Sequence, residues 1–138
     1  MSLIQVKGLK KSYGDIHAVR GVDLEIEQGE IFSLLGPNGA GKTTTVEILE
    51  GFRSRDSGVV SVLGFDPETR GYESRLWRDR IGIVLQSSAD SGDLTVLETI
   101  AHFSGYYSNP RNVDEVIYSV GLVEKEKALI RNLSGGQR

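Results

Sequence analysis

The sequence predicts an α/β fold built around one phosphate-binding loop, and three observations carry that prediction. Gly36-Pro37-Asn38-Gly39-Ala40-Gly41-Lys42-Thr43 follows a short apolar run and opens a helical pattern. Residues 3–27 alternate apolar and polar positions, as strands with one wet face do. Residues 95–131 carry helical spacing with helix-start signals. The chain therefore divides into a mainly antiparallel β segment (1–30), a phosphate-loop core (31–93) and a helical segment (94–138). At 138 residues it is one domain at most.

In chain order, Ile4 and Val6 alternate with Gln5 and Lys7, and Val22, Leu24 and Ile26 alternate with Asp23, Glu25 and Glu27. Ser12-Tyr13-Gly14-Asp15 is the turn between these strands, so Tyr13 is a loop aromatic. Its ring either packs over the sheet or stacks on a bound base. Ile31 to Leu35 is a short apolar run, expected as a buried strand feeding the loop. Lys42 to Glu50 is expected as a helix with Val46 and Leu49 on one face. Val59 to Leu63 is a strand, Tyr72 to Arg80 a helix with Trp77 in the core, and Ile81 to Leu85 a second buried strand ending at Gln86. A polar residue at the end of a core strand stands where open α/β sheets place ligand chemistry.

The last third is expected to be all-helical. Thr95 with Glu98 forms a capping box, and Val96, Leu97, Ile100, Ala101, Ser104 and Tyr107 line one face until Asn109-Pro110 stops the helix. Asn112 with Glu115 opens the next helix and Gly121 closes it. A shorter one spans 124–131, while His17 and His102 have no evident partner and count as structural or surface residues.

The chemistry lies in two stretches. In the loop, Gly36, Gly39 and Gly41 let successive backbone N–H groups face a phosphate chain, and the helix that follows aims its positive end at the same anion. Lys42 reaches the β- and γ-phosphates, and the Thr43 hydroxyl is placed for Mg²⁺. The second stretch, Leu133-Ser134-Gly135-Gly136-Gln137-Arg138, offers a hydroxyl and glycine N–H groups at a helix start, a second anion cradle. No cysteine is present, which excludes disulfides, thiolate catalysis and cysteine–zinc sites. A net charge of −3 lends no support to nucleic-acid binding, and no apolar run reaches transmembrane length.

With these motifs in hand, the whole chain resembles the nucleotide-binding subunits of ATP-binding cassette (ABC) transporters. Leu133 to Gln137 matches the LSGGQ signature, Gly36 to Thr43 the Walker A loop, Gln86 the Q-loop glutamine and Tyr13 the adenine-stacking aromatic. Glu50-Gly51-Phe52, Val62 to Pro67 and Leu94 to Thr99 resemble the bacterial drug-exporter branch, whose permease is a separate polypeptide. The turn at Ser54 to Ser57 departs from the many relatives that carry a proline there.

That resemblance implies an incomplete P-loop NTPase core. It implies ATP and Mg²⁺ as ligands, held by Tyr13, by Gly36, Pro37, Asn38, Gly39, Ala40, Gly41, Lys42, Thr43 and Thr44, and by Ser134, Gly135, Gly136 and Gln137. Lys42 and Gln86 are the expected catalytic residues, with Thr43 and Gln86 at the metal. The signature of one subunit covers the nucleotide of a second, giving a head-to-tail dimer on a membrane permease at the inner face of the cell membrane. The family's Asp-Glu strand and switch histidine lie downstream of the signature, so the chain reads as an N-terminal portion that binds nucleotide without turning it over. A GTPase or small-molecule kinase shares Walker A but needs no signature, and no Asn-Lys-x-Asp motif is present. Soluble cassette ATPases acting on DNA or the ribosome share every motif; compact spacing and the absence of a basic patch argue against them.

Overall fold

The computed structural model describes residues 2–84 and 93–137. They form two compact units, 1–83 and 84–138, each with its own core.

In the first unit β1 (Ser2–Tyr13) and β2 (Ile16–Glu27) form an antiparallel hairpin through Gly14 and Asp15. Gly14 takes φ +56°, the left-handed conformation this tight turn requires. The expected alternation is present, with Val6 opposite Leu24. β3 (Ser57–Val62) pairs antiparallel with the other edge of β1, giving the order β2-β1-β3. Sheet, α1 (Lys42–Leu49) and α2 (Tyr72–Arg78) meet in a core of Val6, Leu9, Val19, Val60, Val62, Ile48 and Trp77. Trp77 is wholly buried, as its segment suggested. Its ring closes so tightly on Gly51 that a β-carbon there would stand 2.8 Å from ring atoms. The buried face of α1 carries Thr45 and Ile48, with Leu49 half-buried; Val46, expected on that face, is exposed.

Two expected buried strands do not form among the described residues. Residues 31–35 form no strand, and Ile31 is 97% and Leu35 88% exposed. Residues 81–84 form none either, with Val84 99% exposed, and Leu85 lies outside the described residues. A continuous apolar run becomes a buried strand only when partner strands pair its backbone and cover both faces. Among the described residues neither run has a partner strand.

In the turn at Ser54 to Ser57, Arg55 stands as a clamp. Its guanidinium donates to both carboxylate oxygens of Asp66, at 2.8 and 2.6 Å, and to the Gly58 carbonyl at 3.0 Å. It thereby ties the turn before β3 to the turn after it. The Arg55 hydrogen bonds hold the Asp66 carboxyl below its ordinary range against the opposing effect of burial. A carboxyl depressed in the fold adds stability above its unfolded-state value, and that stability is lost as pH falls through the folded one. Asp66→Asn is therefore expected to cost about 0.5–1 kcal/mol near neutral pH, because Asp66 is partly solvated. The same variant should flatten the decline in melting temperature below about pH 4. Thermal melts from pH 2 to 7 check it, and parallel wild-type and variant curves would refute it.

In the second unit, α3 (Val96–Ser104) starts at the expected capping box: Thr95 accepts from the Glu98 N–H, and Glu98 accepts from the Thr95 N–H at 2.8 Å. α4 (Val113–Ser119) starts at Asn112, whose side chain accepts from Asp114 and Glu115. Gly121 closes it at φ +70°. α3 stops at Ser104 rather than running to Asn109. Gly105 is a poor helix former, and the next N–H groups tighten into three-residue turns, Tyr106 to Phe103 and Tyr107 to Ser104. Two 3₁₀ turns, Val123–Lys125 and Ile130–Asn132, replace the expected short helix. Val96, Ile117, Leu122 and Leu133 form the core.

Candidate functional site

In the stretch 36–43, expected to bind phosphate, glycines shape the backbone at two of the three expected positions. Gly39 and Gly41 take φ +81° and +80°, conformations that side chains disfavour. Gly41 has a second reason to be glycine. A β-carbon on it would lie 2.2 Å from the Ala18 carbonyl oxygen and 3.2 Å from Val19, so the end of the loop rests directly on β2. That approach shapes a cleft of about 520 Å³ whose lining includes Pro37, Asn38, Gly39 and Ala40 on one side and His17 and Arg20 of β2 on the other.

α1 begins at Gly41 with no side-chain cap, as α2 does at Gly71, whereas α3 and α4 each have one. The first N–H groups of any helix lack intrahelical partners, and here the first intrahelical bond runs from Thr45 to Gly41 at 2.8 Å. The leading N–H groups and the positive end of α1 therefore point into the glycine loop. The Lys42 ammonium is held inside it by the Gly36 and Pro37 carbonyls, both at 2.7 Å. Thr43 is exposed at the helix start, Thr44 is half-buried beside it, and Thr45 turns into the core.

Tyr13 ends β1, 39% exposed, and two cations lie over its ring: Lys11 Nζ 5.6 Å and Arg53 Cζ 5.4 Å from the centroid. Gln86 lies outside the described residues, as does Arg138. In the second unit Leu133 is buried and anchors the terminal stretch, while Ser134, Gly135, Gly136 and Gln137 form an exposed turn. Gln137 N–H donates to the Ser134 carbonyl at 2.9 Å, and the Gln137 side chain accepts from the Ser134 N–H at 3.2 Å. This is half of a capping box, the geometry of a helix start.

Sequence reasoning missed His17 and Arg20 as cleft residues. His17 has a partner after all, since its Nδ1 lies 2.9 Å from the Ser12 hydroxyl, and Arg20 Nε donates to the His17 carbonyl at 3.1 Å. His102 is likewise partnered, in edge-on contact with Phe103 and Tyr106. The alternation read from the sequence covers Val22 to Glu27 and stops short of these two residues; only the fold showed that the loop docks there.

The family profile described as ABC transporter matches residues 19–138. The chain is 40% identical to Nod factor export ATP-binding protein I of Rhizobium sp. (strain N33), over 98% of this chain and 45% of that protein. It is 36% identical to linearmycin resistance ATP-binding protein LnrL of Bacillus subtilis (strain 168), over 99% of this chain and 44% of that one. It thus spans somewhat under half the length of these relatives. Among solved structures, an ATP-binding subunit of an ABC transporter aligns with TM-score 0.82 at 21% identity, over 98% of this chain and 58% of its own. An ABC-transporter ATP-binding cassette in its ADP conformation aligns with TM-score 0.79 at 24% identity, over 99% and 61%. At these identities the structures establish the fold alone.

Proposed function

The chain belongs to the ABC transporter family, as the match over 19–138 shows; on that premise we propose that it binds MgATP for an exporter. One observation carries the reading. The uncapped start of α1 and the Lys42 ammonium converge inside a glycine loop that borders the cleft, an arrangement suited to a polyphosphate. Lys42 contacts the β- and γ-phosphates. Backbone N–H groups of Gly39 and of Gly41 to Thr44 hold the remainder, while the Ala40 N–H closes the loop on the Pro37 carbonyl at 3.2 Å, and Tyr13 stacks on adenine.

The donor set also fits Mg²⁺. That ion keeps several waters and takes one or two protein ligands beside substrate phosphates, and the exposed Thr43 hydroxyl supplies such a ligand. Gln86 is proposed as a second. When bound, the ion neutralises charge on the β- and γ-oxygens.

Ser134, Gly135, Gly136 and Gln137 face the nucleotide of a second subunit in a head-to-tail dimer. ATP then acts as interfacial adhesive, and its hydrolysis by the whole protein releases the halves, driving export through a separate permease at the inner face of the membrane. The exported substrate is set by that permease. Among the described residues no helix is long and apolar enough to cross a membrane. The test is association of the full-length protein under ATP and Mg²⁺, followed by light scattering. ATP-dependent dimers that Ser134→Arg abolishes are expected; ATP binding without any association would overturn the dimer.

The base site has its own test. Tyr13→Ala is expected to weaken ATP binding by about 1–3 kcal/mol, the typical worth of base–aromatic stacking, while Tyr13→Trp retains it. A drop in melting temperature with unchanged affinity would assign the ring to packing instead.

A further inference from the structure

The helix that starts at the phosphate loop ends on an arginine that reaches the Tyr13 ring. α1 closes in a Schellman motif: Gly51, at φ +68°, donates to the Ile48 carbonyl at 3.1 Å and Phe52 to the Glu47 carbonyl at 2.9 Å. Arg53 is the next residue. Its backbone N–H also donates to Glu47, at 3.1 Å, and its side chain returns to pair with the Glu47 carboxylate. Backbone and side chain of Arg53 are both fixed to the last turn of α1. From there the guanidinium sits 5.4 Å from the Tyr13 centroid, within the range in which a cation is attracted by the ring quadrupole. Lys11 approaches the same ring from within β1, and its ammonium is drawn to Asp56 at 3.0 Å. Glu47 and Arg53 thus join two parts of the site that the sequence keeps separate.

We propose that Arg53, held by Glu47, is a positioning residue for nucleotide binding: it sets the Tyr13 ring relative to the phosphate loop through α1, so that base and phosphates are recognised in one register. The proposal rests on the reading that Tyr13 stacks on the base. A guanidinium suits the task better than an ammonium, since its planar fork pairs with a carboxylate while its face lies on a ring. Its loss leaves the phosphate cradle intact and affects only ligands that carry a base.

The experiment compares ATP with inorganic tripolyphosphate, which has the charges but no base, on the full-length protein. Arg53→Ala is expected to weaken ATP about two- to fivefold, the equivalent of one partly exposed cation–π contact, and to leave tripolyphosphate affinity unchanged. Glu47→Gln should act in the same direction, more weakly. Arg53→Gln, which keeps most of the side chain's packing, serves where the alanine variant folds poorly. Equal weakening of ATP and tripolyphosphate, or no change in either, would overturn the proposal. The stacking reading fails separately: Tyr13→Ala with unaltered ATP affinity removes it, whereas a weakened Tyr13→Ala beside a silent Arg53→Ala removes only the role of Arg53.

Discussion

Lys42→Ala is expected to remove at least nine-tenths of the affinity for ATP while leaving the fold almost untouched. The ammonium is held by two carbonyls of the loop itself, at 2.7 Å each, and is absent from the core. It is therefore a cation lodged inside the glycine loop and free of the core packing. A hydrogen bond to a charged group is worth about 1.5–3 kcal/mol, so its loss corresponds to roughly ten- to hundredfold weaker binding. The effect should depend on the phosphates. AMP, which lacks the β- and γ-groups, should lose far less than ATP. Titration of a fluorescent ATP analogue against both forms, with AMP as competitor, measures both predictions. Equal ATP affinity would remove Lys42 from the site, and a large fall in melting temperature would assign it a structural role instead.

What the sequence disclosed and what it withheld divide along a physical line. Alternation in residues 4–7 and 22–27 marked β1 and β2, because a half-wet strand needs only its own pattern to show which side is inside. The capping box at Thr95 and the Asn112 cap placed two helix starts, since those bonds close within three residues. The loop glycines were legible for the same reason. The pairing of β3 with β1 was not, because nothing in residues 57–62 names a partner. The runs 31–35 and 81–84 failed more instructively. A short, mostly apolar run records a demand for cover, and in this structure that demand is unmet: Ile31, Leu35 and Val84 stand in the open. Such surface invites association with whatever can pair and cover it. The cleft was hidden in the same way, because it arises where Gly41 meets the Ala18 carbonyl, a contact with no local signal.

That contact yields the second large effect. Gly41→Ala carries two separate costs. The first is conformational: alanine at φ +80° costs about 1–2 kcal/mol. The second is steric, since the added carbon would stand 2.2 Å from the Ala18 oxygen. Relief by moving that oxygen would disturb β2 where Val19 and Arg20 pair with Lys11 and Lys10 of β1. The loop must move instead, which alters the cleft and turns the start of α1 away from the ligand. Gly39→Ala separates the two costs, because Gly39 has the same conformation, φ +81°, and open space where a β-carbon would go. Gly39→Ala should lower the melting temperature by a few degrees, in line with its strain alone. Gly41→Ala should lower it further and weaken ATP binding by more than tenfold, as expected when the anchored start of the helix shifts. Calorimetric titration with ATP, beside thermal melts of both variants, decides the matter. Should the two alanines prove equivalent in stability and in affinity, the docking of Gly41 on β2 plays no part in shaping the phosphate site.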